Sequence, residues 1–165
     1  MRNQGLTLLE VLVVIVLIGI LAALLLPSIH VHGHPNRKIA CANNLRQLYT
    51  LGTVYASTHH GEWPTATGEN LWLSFTKMVP PLIEPEHASL LHCDLADDEL
   101  GTDETNYRGP LLPWKKLTGG DVLAADREGN HGDGESINVL FKEGTVLEAT
   151  PGDSLWKKCR EVLGP

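Results

Sequence analysis

The chain has few of the groups that carry chemistry. No phosphate loop, no paired-acid motif and no nucleophile with a neighbouring base stands out among its 165 residues, which argues against an enzyme. With eight histidines, chance pairings of His with Asp are expected and carry little weight. A basic stripe is also missing: Arg37/Lys38, Lys115/Lys116 and Lys157/Lys158 are the densest positive groups, in a chain of net charge −7. Such a surface does not suit a phosphate backbone, so no nucleic-acid partner is expected. The three cysteines, Cys41, Cys93 and Cys159, are too widely spaced for a zinc module, and their odd number leaves at least one unpaired within a monomer. A head outside the cytoplasm permits one disulfide, for which Cys41 with Cys93 is the preferred pair and three free thiols the alternative.

What the chain does have is a long apolar run at one end. Val11 to Leu26 contains only apolar residues and glycine, while the remainder has the composition of a soluble domain. Counted from Leu6 to Leu26 the stretch is 21 residues, or roughly 32 Å of helix, close to the thickness of a bilayer's hydrocarbon core. A cleaved secretory signal would end in small residues at alternate positions, and Pro27-Ser28-Ile29-His30 is a poor match. Arg2 and the amino terminus place positive charge before the run, and the next basic residues, Arg37 and Lys38, lie well beyond it. The expected orientation is N-terminus in the cytoplasm and head outside. Glu10 interrupts the start of the span. A carboxylate in hydrocarbon costs at least ~2.5 to 3.5 kcal/mol, so Glu10 needs a partner; an interfacial acid favoured by the helix dipole is the milder reading.

Gly5-Leu6-Thr7-Leu8-Leu9-Glu10-Val11 resembles the processing motif of type IV prepilins and type II secretion pseudopilins. The resemblance implies cleavage by a prepilin peptidase between Gly5 and Leu6, N-methylation of Leu6, and a role for Glu10 in assembly, pairing with the new terminal amine of a neighbouring subunit. The family usually has Phe where this chain has Leu6. Gly19 and Pro27 fall where many filament subunits carry helix-weakening residues; close packing of Gly19 beside Ala23 is the other reading. The family's helix normally continues into the head, but Gly33 and Pro35 interrupt Ser28-Ile29-His30-Val31-His32-Gly33-His34-Pro35. A break near 27–35 is expected, with the helix resuming near Asn36 as a cap. His30, His32 and His34 suit a metal less well than a solvated juxtamembrane segment, because no neighbouring carboxylate or cysteine completes a site.

Leu45, Leu48, Leu51 and Tyr55 recur at near-helical spacing, which predicts an amphipathic helix from Asn36 to about Thr58, ended by His59-His60-Gly61. Cys41-Ala42-Asn43-Asn44-Leu45-Arg46-Gln47-Leu48, with Tyr55-Ala56 and Gly61-Glu62-Trp63-Pro64, resembles a pseudopilin-like branch abundant in planctomycete-type bacteria. His92-Cys93-Asp94 and Thr105-Asn106-Tyr107 share short features with it. Residues 64–120 show little regular structure, with Trp72, Phe75, Tyr107 and Trp114 expected as core anchors. Asp121 to Ala125, Ile137 to Phe141 and Thr145 to Ala149 read as an antiparallel meander, the last two joined by a tight Lys142-Glu143-Gly144 turn. His131-Gly132-Asp133-Gly134 and Glu143-Gly144 resemble a C-terminal signature of that branch, with Glu143 in place of its aspartate. No chemical task is assigned to His131. Calcium is the one cofactor considered, on Asp126, Asp133 and Glu135 in the Gly-rich loop; a solvated hairpin loop is the alternative, and no EF-hand pattern is present. Asp153 or Ser154 can cap a final helix whose face is Leu155, Trp156, Cys159, Val162 and Leu163.

The expected fold is α+β: a long N-terminal helix packed on a small antiparallel sheet head. Its parts are a leader at 1–5, a polymerisation helix at 6–27, a juxtamembrane segment and amphipathic helix at 28–63, and a head at 64–165. The resemblance implies a structural subunit of a type II secretion pseudopilus or type IV pilus-like filament. Its partners would be the prepilin peptidase, other pilin or pseudopilin subunits, an inner-membrane assembly platform and the lipid bilayer. The inner membrane, with the head periplasmic or extracellular, is the expected location. The alternative is a monomeric membrane-anchored periplasmic module that binds a metal or another ligand.

Overall fold

The computed structural model describes residues 8–25, 34–96, 101, 103–132 and 134–164, with the side chains of 22–25 and 34–37 excepted. The chain divides into two compact units, Met1–Gly33 and His34–Pro165.

The described part of the first unit is helix α1, Leu8–Leu25. Its described side chains, Leu8 to Leu21, are all exposed, and Glu10 in the first turn is the only charged one among them. A helix apolar on every side has no polar face to offer water. At 18 residues it is about 27 Å long. Among the described residues no helix is long and apolar enough to cross a membrane; the expected span, Leu6 to Leu26, runs past the described residues at both ends.

The second unit opens with α2, His34–Thr58. This corrects the expected start at Asn36: Pro35 lies in the first turn, where a missing N–H costs nothing because the first amides have no intrahelical partner. The helix ends as expected, with His60 (φ +57°) and Gly61 (φ +81°) left-handed and the Gly61 N–H donating to the Ala56 carbonyl at 2.8 Å. Cys41, Ala42, Leu45, Leu48 and Ala56 are buried, whereas Leu51 and Tyr55 are only half-buried. The buried stripe therefore starts a turn earlier than the leucines suggest.

Residues 64–120 hold more regular structure than their composition predicts. Helix α3, Asn70–Lys77, buries Leu71, Trp72, Leu73 and Phe75. Two 3₁₀ segments, Pro85–Leu91 and Trp114–Lys116, and strand β1, Tyr107–Arg108, complete the region. The reason is the aromatic core, which holds short elements too small to be read from periodicity. Trp72 and Phe75 meet edge to face at 5.9 Å, and Trp63 stacks on Trp114 at 4.2 Å. Trp72, Phe75 and Tyr107 are fully buried and Trp114 partly so.

The sheet is an antiparallel meander in the order β1-β2-β3-β4, with β2 at Val122–Asp126, β3 at Ile137–Phe141 and β4 at Val146–Ala149. Helix α4, Ser154–Leu163, packs on β2, its cap being Asp153, whose side chain accepts from the Trp156 N–H. The two faces of the sheet support separate clusters. Leu123, Ala124 and Leu140 join the core that contains α2 and the tryptophans, while Val122, Ala125, Ile137 and Val139 join Cys159 and Leu163 of α4. Successive residues of a strand normally alternate between faces. Here Leu123 and Ala124 share one, because a bulge between Val122 and Ala124 sets two residues of β2 against one of β3. The bulge turns Asp126 toward α2.

Candidate functional site

A group of buried polar residues of the head gathers where β2, β3 and α2 meet. Asp126 is fully buried, and its Oδ2 accepts from the Asn138 backbone N–H at 2.9 Å and from Asn138 Nδ2 at 2.8 Å. The Asn138 amide also donates to the Lys38 carbonyl of α2 at 3.1 Å, tying the helix to the sheet. His131, 5% exposed, lies between two oxygens: Nδ1 is 2.8 Å from the Ser136 carbonyl and Nε2 is 3.2 Å from Asp126 Oδ2. A carbonyl only accepts, so Nδ1 carries a hydrogen. Nε2, close to Asp126 Oδ2, is a buried atom that makes no hydrogen bond. Burial pushes the Asp126 pKa up to about 6, against the lowering effects of the Asn138 hydrogen bonds, His131 and Arg108.

Cys41 of α2 and Cys93 are joined by a disulfide, with their Cα atoms 5.2 Å apart. The two sulfurs and a ring nitrogen of His131 all lie within 4.8 Å of one another. The polypeptide around Cys93 is held by the second short motif. Asn106 Oδ1 accepts from the Cys93 N–H at 2.9 Å, Thr105 Oγ1 donates to the Leu91 carbonyl at 2.8 Å, and the Tyr107 hydroxyl donates to the His92 carbonyl at 3.1 Å. Asn44 of α2 donates to that same carbonyl at 3.0 Å. Two tripeptides that stand 13 residues apart by their hydrogen-bonded members are thus one unit in space. Burial and the neighbouring Asp126 charge push the Tyr107 hydroxyl well above the ordinary phenol range, so it stays a donor.

Beyond this centre Arg108, also buried, donates to the Gly164 carbonyl at 2.8 Å and lies 3.6 Å from Glu128, which Arg160 of α4 approaches to 3.0 Å. Glu135 pairs with Lys38 at 2.8 Å. Cys159 is a free, buried thiol, its pKa raised to about 11 chiefly by burial. A second grouping, Glu84, Glu86 and His87, is exposed at the start of the first 3₁₀ segment, Glu84 being the residue before it.

In the first unit Glu10 sits in the first turn of α1, exposed, where a helix N-terminus favours negative charge. Residues 1–26 match the family model described as the Prokaryotic N-terminal methylation motif. Over these residues the chain is similar to the N-terminal methylation motif of prepilin-type proteins.

The match contains Gly5, Leu6, Glu10 and Gly19 and ends one residue before Pro27. It does not reach the second block of resemblance, at Cys41 and beyond. No curated protein and no solved structure matches the chain. Of the residues singled out from sequence, Gly5, Leu6, Pro27 and Asp133 lie outside the described residues, as do the side chains of His30, His32 and His34. Gly19 is in α1 with nothing within 4 Å of where a Cβ would stand. Of the three residues considered for calcium, Asp126 faces the buried centre and Glu135 faces Lys38. The grouping of Cys41, Cys93 and His131 was not expected. All three members were noted for other reasons, but His131 lies 38 residues past Cys93, and nothing in that spacing signals proximity.

Proposed function

We propose that this pilin-like chain is a structural subunit of a type II secretion pseudopilus or type IV pilus-like filament. In this reading the prepilin peptidase cuts between Gly5 and Leu6 and the new amine of Leu6 is methylated. The observation that carries it is the match of the methylation motif over residues 1–26, on a helix whose described side chains are apolar and exposed apart from Glu10. An exposed apolar surface of this extent is suited to lipid and to other helices rather than to water. Cutting before the run creates a cationic amine at the membrane boundary, and Glu10 of a neighbouring subunit is its natural counter-charge. Van der Waals packing of Leu, Ile and Val supplies adhesion between such helices without specificity, and the charge pair fixes axial register.

The chain would lie in the inner membrane with its N-terminus cytoplasmic, and enter the filament through the assembly platform. The head, held by a disulfide that an oxidising compartment permits, fits the outer side of the membrane. No catalytic task is assigned to it. Intact mass spectrometry of the protein purified from its own membrane tests the reading. The expected mass is that of a chain beginning at N-methylated Leu6; intact Met1, or a start beyond residue 30, overturns it.

A further inference from the structure

We propose that, when its disulfide is reduced, the head binds one cuprous ion through Cys41, Cys93 and His131. Three observations on separate elements converge on this site. Two sulfurs and a ring nitrogen already stand within 4.8 Å of one another. Metal–sulfur bonds of about 2.3 Å and metal–nitrogen bonds of about 2.0 Å put the ligands of a trigonal ion roughly 4 Å apart, so the imidazole needs little movement. The sulfurs separate when their bond opens.

The second observation is the hydrogen bond from His131 Nδ1 to the Ser136 carbonyl at 2.8 Å. A metal-bound histidine characteristically donates its other ring N–H to a carbonyl or carboxylate, which fixes the tautomer and orients the ring. The Ser136 carbonyl fills that role and leaves Nε2 as the donor atom. The third is burial: Cys41 is 0%, Cys93 3% and His131 5% exposed. A dry site of two thiolates and one imidazole selects a soft ion. Zinc in structural sites takes four ligands, and among the described residues this grouping offers three.

The reduction requires a dithiol reductant. One of its thiolates attacks a sulfur of the Cys41–Cys93 bond, and its second thiol displaces the mixed disulfide. The reductant leaves as a disulfide and the protein keeps two thiols. Binding of Cu⁺ releases those two protons to solvent, and Nε2, a buried atom that makes no hydrogen bond, is the nitrogen left to face the ion. The oxidised head has no thiolate to offer and does not bind.

The test uses the full-length protein in detergent, carrying Cys159→Ala so that only the paired thiols are counted. Reduced and air-oxidised samples are titrated with Cu⁺ against a chromophoric competitor, and with Zn²⁺ in parallel. One equivalent of Cu⁺ is expected on the reduced protein and none on the oxidised. X-ray absorption should give two sulfur ligands and one nitrogen. His131→Gln should weaken binding about tenfold or more, because a first-row soft site loses its only nitrogen ligand. Asp126→Asn, which disturbs the packing around His131 without removing a ligand, should keep one equivalent. The proposal is overturned by an absence of Cu⁺ binding after reduction, by tighter binding of Zn²⁺, by indifference to His131→Gln, or by equal losses in His131→Gln and Asp126→Asn. None of these outcomes bears on the processing of Leu6, which is read separately from the intact mass.

Discussion

His131 Nε2 and Asp126 Oδ2 lie 3.2 Å apart in a part of the head where neither side chain meets solvent. The contact is built by the bulge at Leu123, which sets Asp126 on the α2 side of the sheet. Burial of the carboxyl favours its protonated form.

The head should therefore lose stability as pH rises through the range in which Asp126 ionises. The folded pKa is raised to about 6 from 3.8, chiefly by burial, with Asn138, His131 and Arg108 opposing the shift. A folded state that holds a proton more tightly than the unfolded chain is stabilised below the unfolded pKa, and that contribution is lost as pH rises through the folded value. Thermal melts of the disulfide-bonded protein should fall between about pH 4 and pH 7 by an amount on the order of 2 to 3 kcal/mol for this group. Asp126→Asn should flatten the profile in that window, because an asparagine amide does not ionise. A wild-type and variant pair with parallel profiles would refute the assignment.

Gly52 of α2 lies against the Trp63 indole so closely that a Cβ would overlap ring atoms. Trp63 cannot move aside easily, since it stacks on Trp114 and meets Trp72 at 6.4 Å in an edge arrangement. Alanine normally improves a helix interior over glycine by about 1 kcal/mol. Here Gly52→Ala should destabilise by about 1 to 3 kcal/mol, the usual cost of overpacking, seen as a lower urea midpoint. Gly19→Ala in α1, where nothing lies within 4 Å, should have no such cost.

The Cys41–Cys93 bond closes a loop of 52 residues, for which loop-closure entropy predicts about 4 kcal/mol. Cys93→Ala should lower the denaturation midpoint of the oxidised protein by a corresponding amount, moderated by the hydrogen bonds of Asn106, Thr105 and Tyr107 that hold the segment independently. Reduction of the wild type should reproduce the loss. If reduced and oxidised proteins unfold at the same denaturant concentration, the bond is not a stabilising element.

These sites were unequally legible. The meander could be read because alternation and a Gly144 turn (φ +89°) are local signals, and α4 because Asp153 caps an amphipathic stretch. Helix α2 was legible in type but not in start, since Pro35 breaks a helix interior yet suits a first turn. Trp63 was quoted only as part of a motif, although it is the ring on which four other aromatics converge in the core. The bulge at Leu123 has no sequence signature, so Asp126 was assigned to a solvent loop with Asp133 and Glu135. Without that one-residue shift, its side chain would point to the α4 face, away from His131.

Glu10 offers the sharpest test of assembly, because its removal should separate two processes that share one helix. An acid in hydrocarbon costs at least ~2.5 to 3.5 kcal/mol, so Glu10→Ala should insert into the membrane at least as readily as the wild type. Cleavage between Gly5 and Leu6 should proceed, since the substitution lies downstream of the cut. Incorporation into filaments should be abolished, because the amine of a neighbouring subunit loses the charge that sets its register. Sheared-filament fractions and membrane fractions from the same cells would be compared by immunoblot: variant protein accumulating in the membrane at its processed mass and missing from filaments is expected. Normal incorporation of Glu10→Ala would remove the proposed role of Glu10 while leaving the processing of Leu6 intact.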